Sequence, residues 1–422
     1  MNYPRVLVIS NNSFSLSNSN GRTLGLLFKG WPKDRLAQFC ITTDGPSWDI
    51  CDNYFCASDK SVFKSLITLQ PVKREDLTSY ELSGSKNGRR YKRTAIKSFI
   101  RHIVWSAGVW RKGDFNKWVQ SFDPDIILLQ CGDTAFTHDL ARDIAKRSHS
   151  KLVFFNTEGV FFLERNYLYK GFCDFIFFPL YKHIFKKSYR KAMGTASYAF
   201  YLNEKIKRDN DSTFGVPGTV IYNTSTIKSD DVVFMINTES PVVSYFGNMG
   251  GGRSSVLVEV AKVVKGQNPN AVIDVYGKGY PDAIQILEDC PEINYHGCIP
   301  YDEIVEVINK SDILLHVESQ EKEMVDNLKY GFSTKIADCL TSGRPFLLYS
   351  SKDLACAEYL TSNDCAWFAD NPDSLIQAIH SILYDEETRK RKLEKARVIA
   401  AQNHSGSSNC EKFQKLLIQQ GY

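Results

Sequence analysis

The chain lacks the features that mark membrane-spanning, disulfide-stapled and strongly polyanion-binding proteins. No apolar run approaches the roughly 20 residues that a transmembrane helix needs. The 11 cysteines are scattered without a C-x-x-C pair, which predicts reduced thiols rather than a zinc site or a disulfide framework. The net charge of only +4 gives no bulk attraction for a polyanion. We therefore expect a protein with no resident metal and no nucleic-acid partner.

Two other absences bear on location and chemistry. The start, MNYPRVLVIS, has no signal-peptide h-region, so we expect a cytoplasmic protein. The sequence also shows no Ser–His–Asp or paired-carboxylate constellation of the kind that hydrolases use. What is present is a chain of 422 residues with an ordinary apolar fraction of 43%. This length indicates two or more domains.

The most informative stretch is residues 311–350. The apolar run ILLHV predicts a strand that ends at Glu318, and a polar loop follows. Ser333 is a suitable N-cap for the helical pattern TKIADCL, which Gly343 and Pro345 terminate before the next apolar strand. The pattern therefore predicts strand, loop, short helix and strand, as in a parallel sheet.

The start of this helix carries the groups that could hold a nucleotide. Thr334 and Lys335 lie in the first turn, where unpaired backbone N–H groups favour an anion. Asp338 lies four residues after Thr334, on the same face. A phosphate at the helix tip and a ribose beside Asp338 would fit one nucleotide. From spacing alone, an ordinary capped surface helix is the alternative.

The segment YGFSTKIADCLTSGRPFLLY resembles the nucleotide-binding segment of family-4 glycosyltransferases. That family carries an E-x7-E motif here, and Asp338 matches its second acid. Tyr330 stands where the first Glu would be, which is a departure from the family pattern. We take Glu318, at the end of the preceding strand, as the substitute.

The resemblance implies the GT-B fold, an α/β architecture of two Rossmann-like domains with a facing cleft. It places the first, acceptor-side domain at residues 1–225, the linker at 226–240 and the nucleotide-sugar domain at 241–404. It also implies that the last helix, about 405–422, crosses back to the first domain.

Further donor contacts follow from two loops of the second half. GNMGGGR resembles the family's "G-N-x-x-x-x-R-S", which implies that Gly247 and Asn248 form the loop and that Arg253 meets the donor diphosphate. A glycine-rich loop lets the backbone approach a phosphate closely, although alone it is more often only a turn. Lys278, in GKG, is a second candidate cation.

The remaining candidates are carried by the resemblance and by position in the predicted sheets. The base is expected at a "G-x-I/V-P" turn, at Cys298 and Ile299. In the first domain, Gly21 and Arg22 follow the loop after the first strand, where α/β folds place ligands. Glu158 ends another strand and is a candidate for orienting the acceptor. A plain βα loop and a loop acid without a role are the alternatives.

Residues 86–118 form a strongly basic segment with one acid, Asp114, and with interleaved apolar positions. Such a segment can lie on an anionic membrane, or it can be a surface helix whose apolar stripe faces the core. Both interpretations stay open, and we expect a cytoplasmic protein that is peripheral on the inner membrane face. The basic residues are Lys86, Arg89, Arg90, Lys92, Arg93, Lys97, Arg101, Arg111, Lys112 and Lys117.

The resemblance implies a retaining, metal-independent hexosyltransferase that uses a UDP- or GDP-sugar and no other cofactor. Its acceptor would be a glycan or a lipid-linked oligosaccharide in cell-surface polysaccharide biosynthesis. Arg253 and Lys335 would stabilise the leaving diphosphate, with Glu158 as a third candidate catalytic residue. The alternatives are a sugar-nucleotide epimerase of the same fold and a non-catalytic nucleotide-sugar-binding protein.

Overall fold

The structure is a computed structural model that describes residues 3–15, 19–42, 45–74, 94–164, 173–227 and 234–422. The chain divides into two compact units. The first unit comprises Met1–Tyr222 together with Gly406–Tyr422, and the second unit comprises Asn223–Ser405. Each unit is built on its own sheet, and we describe each by itself.

The first unit contains a seven-stranded sheet in which all neighbouring strands are parallel. Its strand order is β3-β2-β1-β4-β5-β6-β7, with β1 and β4 in the middle. The apolar runs of the central strands are buried on both faces, as parallel sheets require. The strands are β1 Val6–Asn12, β2 Leu36–Thr42, β3 Tyr54–Cys56, β4 Ile126–Cys131, β5 Lys151–Asn156, β6 Ala196–Tyr201 and β7 Gly218–Val220.

Helices connect these strands and cover the sheet. Polar residues cap several of them: the side chain of Ser58, for example, accepts a hydrogen bond from the Ser61 N–H at the start of the second helix. The helices are α1 Ser19–Leu27, α2 Asp59–Thr68, α3 Ala95–Ser106, α4 Asp114–Phe122, α5 Ala135–Arg147, α6 Asp174–Met193 and α7 Glu204–Phe214.

The second unit contains a six-stranded parallel sheet with the order β10-β9-β8-β11-β12-β13. The strands are β8 Val242–Phe246, β9 Val272–Tyr276, β10 Asn294–Gly297, β11 Ile313–Val317, β12 Phe346–Tyr349 and β13 Trp367–Ala369. The helices are α8 Arg253–Gln267, α9 Pro281–Glu288, α10 Tyr301–Lys310, α11 Lys322–Leu328, α12 Lys335–Thr341, α13 Ala355–Ser362, α14 Pro372–Tyr384 and α15 Glu386–Ile399.

The last helix, α16 Gly406–Gln420, returns to the first unit and packs on α1. Its Phe413 is fully buried, with ring centroids 5.3 Å from Phe28 and 4.7 Å from Phe200. This confirms the predicted return of the final helix. No helix in the described ranges combines the length and apolar character that crossing a membrane requires.

Three elements and one pair of cysteines differ from the sequence-based expectation. The polar loop expected after Glu318 contains helix α11, and β3 and α2 follow residue 50, where the sequence analysis assigned no element. Cys40 and Cys56 are directly opposite each other on β2 and β3 and form a disulfide. The expectation of reduced thiols is therefore wrong for this pair, because strand pairing brings together residues that are 16 positions apart.

Candidate functional site

The predicted donor residues of the second unit lie at the point where its strand order reverses. From β8 the chain moves outward to β9 and β10, and it then returns to place β11 on the other side of β8. Ligands of open α/β sheets bind outside the carboxyl ends of the strands at such a point. The loops that leave β8 and β11 carry the glycine-rich segment and Glu318, respectively.

Two glycines let the backbone pack tightly at this edge of the sheet. A Cβ atom at Gly247 would overlap the Nζ atom of Lys335, and a Cβ atom at Gly277 would overlap the carbonyl oxygen of Gly247. Both residues also have positive φ angles, of 156° and 143°. Glycine at position 247 is therefore what allows the Lys335 ammonium group to lie against the loop.

Arg253 is the first residue of α8, directly after the glycine-rich loop. Its Nη1 donates a hydrogen bond to the Gly250 carbonyl over 2.8 Å. Its Nη2 lies 2.6 Å from Oε2 of Glu318, and the two side chains are only 17% and 9% exposed. This geometry fixes a guanidinium group at the switch point and pairs it with a carboxylate.

Lys335 begins α12 and brings a second cation to the same place. Its Nζ lies 4.5 Å from the ring centroid of Tyr245 and 3.5 Å from the Tyr245 hydroxyl, an arrangement that stabilises a cation over an aromatic face. Burial and the positive charge of Arg253 lower the pKa of Lys335 to about 8, against the attraction of Glu318. Lys335 is thus mostly charged at pH 7.

Glu318 and His316 lie beside Arg253 and Lys335 and complete a cluster of four titratable side chains. Burial favours the neutral form of Glu318, but His316 and Arg253 outweigh burial and lower the Glu318 pKa to about 2. Burial, together with Lys335, lowers the pKa of His316 to about 4 although Glu318 opposes this. Since His316 is then neutral at pH 7, we assign the ionisation of Glu318 at that pH mainly to Arg253.

Asp338 is buried on α12, and its Oδ1 accepts a hydrogen bond of 2.6 Å from the Ser225 hydroxyl. Ser225 is held in turn, because its N–H donates to the His404 carbonyl over 3.0 Å. Ser225 is a contact that the sequence analysis missed. No local pattern indicates it, because 113 residues separate the two partners.

The helix start differs by one residue from the prediction. Ser333 was predicted as the N-cap, but α12 begins at Lys335 with Thr334 before it. Thr334 is exposed and makes no side-chain capping bond to the described residues. The Ser333 hydroxyl accepts a long hydrogen bond of 3.4 Å from the Lys335 N–H.

The remaining candidates of the second unit lie in the loops that follow β8, β9 and β10. Asn248 shapes the glycine-rich loop, since its Oδ1 accepts a 2.6 Å hydrogen bond from the Gly250 N–H. Lys278 is exposed, and its carbonyl accepts a 2.8 Å hydrogen bond from the Met249 N–H. Cys298 and Ile299 follow β10, which β9 separates from β8. The base position predicted there is therefore set apart from the cationic pair by one strand.

Three predicted residues lie in the first unit. Gly21 is buried in the first turn of α1, where a Cβ atom would overlap the Ser13 carbonyl, and Arg22 follows it. Glu158 is exposed after β5. Gly21 and Arg22 lie in the helix that follows β1, and Glu158 lies in the loop that leaves β5.

Asp123 and Asp125 lie just before β4 and share one partner. Arg5 Nη2 lies 2.9 Å from Asp123 and 3.1 Å from Asp125, so one guanidinium group forms ion pairs with both carboxylates. In the part of the chain that the structure describes, no group of three or more His, Cys, Asp or Glu side chains is arranged to hold a metal ion.

Known proteins share this architecture. Residues 254–415 match a family model described as glycosyl transferase-like. The structure resembles HepE from Anabaena, solved in complex with UDP, with a TM-score of 0.62 and 12% sequence identity, over 98% of this chain and 100% of that one. It also resembles WaaG, a glycosyltransferase involved in lipopolysaccharide biosynthesis, with a TM-score of 0.57, 13% identity and coverage of 98% and 99%.

A third similar structure is sucrose-phosphate synthase from Thermosynechococcus elongatus, with a TM-score of 0.62, 10% identity and coverage of 98% of both chains. No curated protein matches the chain significantly by sequence. At these identities the structural similarity establishes the fold. The predicted α/β class and GT-B fold are confirmed, and the chain contains a glycosyl transferase-like segment at residues 254–415.

Proposed function

We propose that this protein is a retaining, metal-independent glycosyltransferase that moves a hexose from a UDP- or GDP-sugar to a glycan or a lipid-linked acceptor. The observation that carries this proposal is the pairing of Arg253 and Lys335 at the switch point of the second sheet. Two fixed cations beside a glycine-rich loop suit a diphosphate. The glycosyl transferase-like match over residues 254–415 supports the same activity.

The donor would lie along the carboxyl edge of the second sheet. Its diphosphate would contact Arg253, Lys335 and the first-turn N–H groups of α8, and its ribose hydroxyls would bind Asp338. The base would lie at Cys298 and Ile299, and Ser333 and Thr334 would border the phosphates. The HepE structures bind UDP and UDP-glucose, which supports a nucleotide-sugar donor for this chain.

The chemistry follows from the charge that develops on the leaving group. When the bond from the anomeric carbon to the diphosphate breaks, negative charge grows on the departing phosphate. Arg253 and Lys335 stabilise that charge without reorganising, because their positions are fixed by Gly250 and Tyr245. In the retaining reaction the acceptor attacks from the face that the diphosphate leaves. The leaving phosphate can take the acceptor proton, so no strong protein base is required.

The proposed pathway is cell-surface polysaccharide biosynthesis. WaaG, which shares the fold, takes part in lipopolysaccharide biosynthesis. In this chain the acceptor would use the first unit, where Gly21 and Arg22 lie in the helix that follows β1 and Glu158 lies in the loop that leaves β5. Glu158 would orient an acceptor hydroxyl in this scheme.

The Arg253→Ala variant tests the catalytic assignment. Loss of one fixed donor to developing charge costs about 3–4 kcal/mol, or roughly 10²–10³ in rate. The measurement is transfer of labelled sugar, or slow hydrolysis of the donor where no acceptor is supplied. Lys262→Ala, which removes an exposed cation from the same helix, should leave the rate unchanged. Undiminished transfer by Arg253→Ala would refute this role of the arginine.

Incubation with the donor alone separates this proposal from its two rivals. An epimerase would convert the donor to its epimer without any acceptor. A non-catalytic binding protein would bind the donor and neither transfer nor hydrolyse it. The transferase is expected to release nucleoside diphosphate and free sugar slowly, and to release them faster when an acceptor is present.

We also propose that the protein is peripheral on an anionic membrane. Helices α2, α3 and α6 lie side by side, joined by the Arg101–Asp59 ion pair of 2.7 Å and the Ala95 N–H to Asp174 hydrogen bond of 2.7 Å. They carry nine Lys or Arg residues against two Asp. Exposed apolar side chains accompany this charge, namely Phe63, Ile67, Leu69, Ile100, Ile103, Phe175, Ile176 and Leu180.

We propose this surface, formed by α2, α3 and α6, as the membrane-binding region in place of residues 86–118, the segment suggested by the sequence. Within that segment Trp105 and Trp110 are buried, as the core interpretation requires, whereas Ile100 and Ile103 are each 50% exposed. Residues 86–93 lie outside the described ranges. Basic charge beside exposed apolar side chains suits anionic lipid.

Cosedimentation with vesicles tests the membrane surface. Binding to vesicles with anionic lipid is expected to exceed binding to zwitterionic vesicles and to fall in high salt. The double variant Ile100→Ser and Ile103→Ser should weaken it, whereas Ile376→Ser, at an exposed site in the second unit, should not. Equal binding to both vesicle types would contradict the proposal.

A further inference from the structure

Arg253, which we propose binds the donor diphosphate, already forms an ion pair with the Glu318 carboxylate. Arg253 uses Nη1 on the Gly250 carbonyl and directs Nη2 to Glu318. An incoming diphosphate therefore meets an arginine whose ion pair is formed and largely buried. Glu318 lies at the end of β11, on the strand beside β8, so it is held against Arg253 by the sheet itself.

We propose that Glu318 is an internal counter-ion that a nucleoside diphosphate must displace from Arg253, so that this residue limits nucleotide affinity and promotes product release. The inference rests on the proposed donor site. It adds a role for Glu318 that differs from contact with the donor sugar, the role expected of a substitute for the missing acid at position 330.

Charge balance in the empty site explains why a carboxylate is placed here. Arg253 and Lys335 lie close enough that the arginine disfavours the charged lysine. Without Glu318 two like charges would be buried together, at a large cost in free energy. Glu318 offsets one of the two positive charges in the empty site, and the cations keep their positions. A bound diphosphate supplies negative charge in its place, and Glu318 is then a like charge beside it.

His316 provides a place for the displaced carboxylate. Its Nε2 lies 3.3 Å from Glu318 Oε1, yet neither ring nitrogen completes a hydrogen bond with the described residues, although the side chain is 2% exposed. A buried polar group without a partner is costly. Movement of Glu318 away from Arg253 and toward His316 would complete this hydrogen bond. The exchange thus gives Glu318 a partner in both states, Arg253 in the empty site and His316 in the occupied site, while the diphosphate replaces Glu318 as the partner of Arg253.

Calorimetric titration of wild type, Glu318→Gln and the control Glu323→Gln with UDP and GDP tests the counter-ion. Glutamine keeps the shape and removes the charge, so the nucleoside diphosphate that binds wild type should bind Glu318→Gln on the order of tenfold more tightly. Both KM for the donor and kcat should fall, because product leaves more slowly. Glu323 is exposed on α11, and its variant should behave as wild type.

Each other outcome has a defined meaning. Unchanged or weaker binding of the bare diphosphate to Glu318→Gln overturns the counter-ion role. If only the sugar nucleotide is weakened, the carboxylate binds the sugar instead. If wild type binds neither nucleotide, the proposed donor site fails as well. Should Glu318→Gln not fold, Glu318→Asp, which withdraws the carboxylate from Arg253, should tighten diphosphate binding to a smaller degree, and unchanged binding there would also overturn the role.

Discussion

The two units have the same arrangement of their central strands but different chemistry at the point where the strand order reverses. In the first unit the order is β3-β2-β1-β4, and in the second it is β10-β9-β8-β11. In the second unit this point holds the ions Arg253, Glu318 and Lys335. In the first unit a hydrogen-bonded network of neutral amide and hydroxyl groups lies beside this point.

The neutral network of the first unit centres on Gln38, which is fully buried on β2. Its Oε1 accepts from the Phe14 N–H over 2.8 Å, and its Nε2 donates to the Ser10 hydroxyl over 2.8 Å. These bonds hold the start of the loop after β1 through neutral groups. The comparison teaches that the fold supplies the location, whereas the side chains decide whether a location holds a diphosphate.

Of the variants considered, Gly247→Ala should reduce nucleotide binding at the charged site of the second unit the most. The added Cβ would displace the Lys335 ammonium group from the loop, and lost contacts to charged groups are worth about 1.5–3 kcal/mol. Nucleoside diphosphate affinity should fall by roughly 10–100-fold in a calorimetric titration. Gly266→Ala, where a Cβ meets nothing within 4 Å, is the matched control. Equal affinities of the two variants would mean that Lys335 does not contribute to the site.

Gln38→Met tests the neutral network of the first unit and should lower stability without affecting nucleotide binding. It leaves the Phe14 N–H and the Ser10 hydroxyl without their buried partner, which costs about 1–3 kcal/mol in the free energy of unfolding. Chemical denaturation should show this loss, and nucleotide titration should show no change in affinity. A large loss of nucleotide affinity would show that the first-unit network also contributes to donor binding.

The smallest expected effect is a decrease of nucleotide affinity with rising pH, which should arise from Lys335 in the second unit. Lys335 is charged below its pKa of about 8 and neutral above it, so raising the pH from 7 to 9 removes a cation from the site. Nucleotide affinity should fall by about tenfold over this interval. In Lys335→Arg the side chain stays charged, and the decline should disappear. A wild-type affinity that is constant from pH 7 to 9 would contradict the role of this lysine.

Local sequence was sufficient to predict buried strands such as β11 and the charged loop residues near them. The apolar run ILLHV predicted β11 at its observed bounds, because buried parallel strands are short, continuous and ended by polar or glycine residues. The family resemblance implied the two Rossmann-like domains in which such strands occur. Lys335 was identified from its position at a helix start and Arg253 from the family resemblance of the glycine-rich loop, and the structure brings them together.

What could not be predicted depends on contacts between distant residues. Helix α11 and strand β3 carry weak local patterns and are stabilised by their neighbours. The hydroxyl of Ser225 on Asp338 and the ring of Tyr245 beneath Lys335 join segments about 90 or more residues apart. The ion pair of Glu318 with Arg253 requires the adjacency of β8 and β11, so its role as a counter-ion could emerge only from the structure.

The most direct test of the account is calorimetric titration of the wild-type protein and of Lys335→Ala with UDP, GDP and their common sugar conjugates. The account predicts that one nucleotide binds tightly to wild type and that the substitution weakens this binding. It also predicts that the preferred sugar conjugate identifies the donor. Absence of binding by every nucleotide would contradict the placement of a diphosphate between Arg253 and Lys335.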